Sequence, residues 1–116
     1  MPTIRDVVAA LAGREGVQAV VVLGRDGLPI DAKSDSLDPD GVAALVPSVV
    51  AACTRLGNAA NRGEFGTGVV EFGQGTLIIS AVNAETLLAI VLAADTNIGS
   101  LLFEMRRHRG AIAGLL

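Results

Sequence analysis

The side chains able to do chemistry are few and scattered along the chain. His108 is the only histidine, flanked by Arg107 and Arg109, and Cys53 is the only cysteine. Nucleophilic catalysis needs a nucleophile beside a base, and a zinc site needs several His or Cys ligands at short spacings, so neither chemistry has its parts. The stretch GEFGTG, Gly63 to Gly68, has the composition of a phosphate-binding loop but the wrong surroundings. It precedes an extended segment instead of joining a strand to a helix, and no Gly-Lys-Ser/Thr follows. Asp26, Asp31, Asp35, Asp38 and Asp40 crowd one region, yet their spacing is not that of a calcium loop with its distal glutamate. Turn and cap duty accounts for most of them. No metal or cofactor is expected, and the chain is read as a non-enzyme.

What remains to the molecule is binding, and composition narrows the partners. The formal charge is −3 over 116 residues, and aromatics make up 3% with no Trp or Tyr. Nucleic-acid surfaces cluster Lys and Arg or offer aromatic stacking platforms, so that class is excluded. The one basic run, Arg106 to Arg109, is read as closing a helix. Hydrophobic residues at 51% predict a core of Val, Leu, Ile and Ala, and the length fits one domain over residues 1–116. The apolar run Gly41 to Cys53 falls short of the roughly 18 to 20 residues a membrane span needs, and it contains Pro47. Membrane insertion is therefore not expected. The apolar stretch after the start is short for a secretory signal, with Asp6 ahead of it, and a lone cysteine suits a reducing compartment; the expected location is cytoplasmic.

The elements that must present a binding surface follow from periodicity. Ile4, Val7, Val8 and Leu11 share a helical face, with Thr3 as cap and Gly13 as stop. Val17 to Gly24 and Leu28 to Ser34 are extended runs around Asp26-Gly27, a hairpin signal. Asp38-Pro39 opens a second helix that is expected to run to about Arg62, with Gly63 ending it. Thr67 to Gly73 and Thr76 to Val82, parted by Gln74-Gly75, predict a second hairpin, and Thr86 to Ala94 a further strand. Ile98, Leu101, Leu102, Met105 and Ile112 mark one face of a closing helix. The central strands are apolar at nearly every position, which is the pattern of a sheet covered on both sides. Short connections favour antiparallel neighbours. The first and third helices, each with one apolar stripe, are expected on one face, leaving the second helix alone on the other.

That second helix has more apolar surface than one sheet can cover. Val46, Val50, Cys53 and Gly57 form a stripe suited to the sheet. Val42, Leu45, Val49, Ala52, Leu56 and Ala59 form a second, in the alternating steps of three and four by which helices pack along each other. No other helix is free to fill this seam, and the simplest occupant is the same helix of a second copy, related by a two-fold axis. Ser48, Arg55, Asn58 and Arg62 make the one wet strip.

The order helix, hairpin, helix, three strands, helix resembles the Roadblock family of dynein light chains and small-GTPase regulators. Val20 to Ala32, VVVLGRDGLPIDA, is similar to that family's first hairpin, and Ala94 to Arg107, ADTNIGSLLFEMRR, to the last loop and helix of its MglB-like prokaryotic members. The resemblance implies an α+β, profilin-like α-β-β-α-β-β-β-α fold with a five-stranded antiparallel sheet between helices. It also implies a homodimer whose edge strands join, here through Thr67, Val69 and Glu71. MglB-like members bind a Ras-like small GTPase of the MglA type on the paired-helix face and speed its hydrolysis, while others are assembly scaffolds. On that pattern this chain is a homodimeric regulator or scaffold docking a GTPase through Ser48, Arg55, Asn58 and Arg62. The alternative is a purely structural assembly subunit with no GTPase partner; a small-molecule sensor is disfavoured by the shortage of aromatic and polar pocket groups. The terminal extensions of some MglB-like members are not evident, which bears on activation more than on binding.

Overall fold

A computed structural model describes residues 3–115 of the chain. In order they form α1 (Ile4–Ala12), β1 (Val17–Gly24), β2 (Pro29–Ser34), α2 (Pro39–Ala59), β3 (Thr67–Phe72), β4 (Gly75–Ala81), β5 (Thr86–Ala93) and α3 (Ile98–Leu115). The five strands make one antiparallel sheet in the order β2-β1-β5-β4-β3, so β2 and β3 are its edges. This is the α+β arrangement expected from the sequence.

Local chemistry sets the element ends. Thr3 and Asp6 close a reciprocal capping box on α1: the Thr3 hydroxyl accepts from the Asp6 N–H, and the Asp6 carboxylate accepts from the Thr3 N–H at 2.8 Å. Asp38 caps α2 by accepting from the Asp40 N–H, with Pro39 supplying a first-turn residue that has no N–H to satisfy. Gly27 takes the left-handed φ of 86° in the β1–β2 turn, where the Asp26 carboxylate accepts from the Leu28 N–H at 3.1 Å.

Several strand ends lie one residue from the sequence expectation, and two boundaries differ for a reason that lies in backbone bonding. α2 stops at Ala59, short of Arg62. Beyond the Ala60 cap, Asn61 adopts a left-handed φ of 55°, the Asn61 N–H bonds to the Asn58 carbonyl at 3.2 Å and the Arg62 N–H to the Gly57 carbonyl at 2.8 Å. This paired bonding closes a helix as soon as one residue turns left-handed, and an asparagine serves where a glycine was expected. The β3–β4 turn consists of Gly73 and Gln74, because Phe72 pairs with Gly75 and Gly75 is already a strand residue. A Cβ at Gly75 would run into the Leu92 carbonyl oxygen on β5, and its φ of 156° is one that side chains rarely adopt, so close approach and backbone conformation both require glycine there.

The sheet is buried on both faces, which explains its unbroken apolar strands. On one side α1 and α3 supply Val7, Val8, Leu11, Leu101, Met105 and Ile112 against Val20, Val22, Ile78, Leu88 and Ile90. On the other, α2 alone supplies Ala43, Val46 and Val50 against Val21, Leu23, Ile79, Leu87 and Ala89. Ile90, Leu87 and Ala89 on β5 are fully enclosed at 0% exposure, so the central strand is the hub of both cores.

Candidate functional site

A single helix over one face of the sheet must present its back to solvent. The sheet-facing stripe of α2 is Ala43, Val46 and Val50, whose steps of three and four keep them on one side. Of the other residues expected on that stripe, Cys53 is half-buried, and Gly57 faces the chain that leaves the helix: a Cβ there would lie 2.7 Å from the Gly63 carbonyl oxygen. Gly57 thus permits the turn at Asn61; it does not fill the core.

The seam residues lie on the outer side. Leu45 is 71% exposed, Leu56 68% and Val49 40%, with Ala52 and Ala59 exposed between them. Val42 departs from the set, being half-buried against the core beneath α2. Ser48, Arg55 and Asn58 are exposed on the same helix, while Arg62 is exposed in the turn beyond its end. The four expected docking residues therefore span a helix face and the following turn, not one helical strip. Neither Arg55 nor Arg62 makes an ion pair among the described residues.

By length and composition alone α2 is long and apolar enough to cross a membrane, and only 17% of its most apolar window is buried. That helix lies on a sheet with two unpaired edges, and a bilayer core does not tolerate an open edge.

β3 brings a second uncovered feature beside the first. Its outer edge has no strand neighbour, and Val69 and Phe72 are 40% and 59% exposed. Pairing fixes which side each residue takes. Val69 lies opposite Ile78, which belongs to the core under α1 and α3, and Thr67 lies opposite Ser80. Thr67, Val69 and Glu71 therefore share the α1/α3 side, and Gly68, Val70 and Phe72 the α2 side. Thr67 is half-buried and Glu71 exposed.

Arg109 is the polar side chain whose placement the sequence reading missed. It does more than close α3, because its Nη2 donates to Thr67 Oγ1 at 2.9 Å and to Ser80 Oγ at 2.9 Å. Its Nε is buried without an acceptor, and the guanidinium makes no ion pair among the described residues. The signal lay in the spacing. Leu102, Met105, Arg109 and Ile112 follow steps of three and four, so Arg109 falls on the inward half of α3 while Arg107 does not.

The other chemistry-bearing residues do structural work. Glu104 lies 3.5 Å from Arg14 Nη1 and 3.2 Å from His108 Nε2, and Arg14 also donates to the Ser100 hydroxyl, tying α3 to the end of α1. In the glycine-rich stretch, Phe65 packs on the core beneath α2 and Gly66 accepts from the Ala81 N–H at 2.9 Å, so the segment feeds β3. Among the described residues, no group of three His, Cys, Asp or Glu could hold a metal ion.

The family model of the Roadblock/LC7 domain matches residues 3–92. No curated protein matches. Among solved structures, "MglB with tetrameric arrangement" superposes with a TM-score of 0.88 at 20% identity, covering 97% of this chain and 86% of that one. The Roadblock/LC7 domain from Streptomyces avermitilis gives 0.84 at 24% identity over 93% and 92%. MglB of Myxococcus xanthus gives 0.87 at 18% identity over 97% and 86%.

Proposed function

The chain belongs to the Roadblock/LC7 domain family, and from that premise we propose that it works as a homodimeric module, one domain per copy, which docks a Ras-like small GTPase of the MglA type. Its part is regulatory or scaffolding. One observation carries the reading: Leu45 and Leu56, at 71% and 68% exposure, stand on the outer side of a helix whose inner side is already committed to the sheet. Fully burying a leucine is worth about 1.5–3 kcal/mol, so a seam of such residues supplies the driving force for pairing two copies of α2. Leu45, Val49, Ala52, Leu56 and Ala59 form that contact, with the half-buried Val42 only at its margin, and Thr67, Val69 and Glu71 lie on the two β3 edges that join beside it. Edge pairing also removes the hazard of an open strand.

Doubling by the two-fold axis sets two copies of Ser48, Arg55, Asn58 and Arg62 beside the paired helices. Arg55 and Arg62, free of ion pairs within the described residues, are suited to acidic groups on a docked protein. The experiment mixes the purified protein with a Ras-like GTPase encoded nearby and measures GTP hydrolysis and complex formation. Faster hydrolysis marks an activator, and binding without acceleration marks a scaffold. Absence of binding removes the GTPase from the reading and leaves a structural assembly subunit.

A further inference from the structure

Arg109 is a cation half-enclosed by protein, with one nitrogen spent on two hydroxyls and Nε buried without an acceptor. A water molecule can accept a bond there but brings no charge, and buried guanidinium groups are ordinarily matched by carboxylates. Glu64 lines the same recess as Arg109, yet it is exposed and forms no ion pair. We propose that the missing carboxylate is Glu71 of the partner subunit, delivered when two β3 edges pair. This rests on the β3-joined dimer proposed above.

Symmetry and strand parity place the residue. Two copies of α2 can meet only if both lie on the same side of the joined sheet, so the two-fold axis stands perpendicular to it. Such an axis keeps each residue on its own side, and directly opposite residues in antiparallel strands share a side. Residues facing each other across the junction are therefore both odd-numbered or both even-numbered. Two registers keep most of β3 in overlap. Centred on Val69, the junction sets Glu71 of the partner subunit directly opposite Thr67, the residue whose hydroxyl already holds Arg109. Centred on Val70, it sets that glutamate opposite Val69, diagonal to Thr67. Opposite and diagonal neighbours lie about 5 Å and about 7 Å apart at Cβ, so either register brings that glutamate beside the Thr67 hydroxyl that Arg109 already holds. By symmetry each junction contains the pair twice.

The interface thus closes two cations, one left open by each copy, which favours this strand junction over others. Glu71→Gln keeps the shape and removes the charge, and it is expected to weaken dimerisation about tenfold or more by sedimentation equilibrium, as desolvated interfacial ion pairs do. Arg107→Gln, on the outward side of α3, should leave the constant unchanged. A second measurement reads the contact itself. In Arg109→Lys, zero-length carbodiimide coupling of a mixture of 14N- and 15N-labelled copies should give a 109–71 cross-link with hybrid isotope masses. The chain's single native lysine, Lys33, is distant in sequence and distinguishable by mass. A wild-type particle weighing one copy removes the dimer on which the proposal rests. A dimer indifferent to Glu71→Gln, a 109–64 link, or a 109–71 link with parental masses only removes the ion pair while leaving the dimer intact.

Discussion

Leu56→Ala tests the outer side of α2 with the least disturbance to the fold. Leu and Ala are both good helix formers, so the backbone is nearly indifferent to the change. The substitution removes three carbons, worth about 2.4 kcal/mol if fully buried at about 0.8 kcal/mol each. Leu56 is 68% exposed in the isolated copy, so about two thirds of that, roughly 1.6 kcal/mol, is gained only on association. Two-fold symmetry doubles it to roughly 3 kcal/mol, and at 1.4 kcal/mol per decade the dimer dissociation constant should rise about 200-fold. The copy itself loses less than about 1 kcal/mol of folding stability, because few of the side chain's contacts are its own. Sedimentation equilibrium over a dilution series measures the constant, and thermal unfolding at high dilution measures the copy. A constant within threefold of wild type, together with a large fall in the unfolding temperature, would show that the leucine belongs to the copy's own core and that α2 is not the pairing helix.

The remaining predictions address the core, a backbone contact, a cap and the docking face. Ile90→Ala hollows the strand shared by both cores and should cost about 2–5 kcal/mol, read as a fall in melting temperature of about 10 °C or more. Gly75→Ala pushes a Cβ into the Leu92 carbonyl on β5 and should cost about 2 kcal/mol or more in urea unfolding, with an unchanged denaturant slope. Thr3→Ala opens the α1 capping box for about 1 kcal/mol, seen as faster amide exchange in the first turn of that helix alone. Arg55→Glu should leave the dimer constant unchanged while weakening GTPase binding about tenfold in calorimetry; equal affinity for the GTPase would move the docking face elsewhere.

The sequence was most legible where one residue type does one local job. Thr3, Asp38 with Pro39, and Asp26 with Gly27 each announced an element end through hydrogen-bonding capacity or fixed φ, and the structure uses all three, adding Asp6 as the reciprocal partner of Thr3. The unbroken apolar run of β5 announced a strand covered twice, as it is. Legibility failed where neighbouring residues competed for one role or where the deciding partner is distant in the chain. Asn61 ends α2 because a left-handed residue there lets Arg62 bond back to Gly57, and nothing in the local composition ranked Asn61 over Gly63. Gly75 reads as a turn glycine until Leu92 is seen beside it. Arg109 reads as one of three helix-ending arginines, although its inward spacing was available and its acceptors lie on β3 and β4. Arg62 was grouped with Ser48, Arg55 and Asn58 by counting helical turns past the point where the helix exists.

The two borders of the sheet are chemically unlike. β3 carries Val69 and Phe72 in the open, whereas β2 begins with Pro29, which has no N–H to offer, carries Asp31 and Lys33 on either side of a half-buried Ala32, and is itself bulged at the exposed Ile30, the residue left unpaired opposite Val22/Leu23. Proline, lysine and bulges are the devices that keep a strand from recruiting another. Strand-to-strand growth is therefore disfavoured at β2, and the proposed pair joined through β3 would leave only its two β2 borders open to further strands.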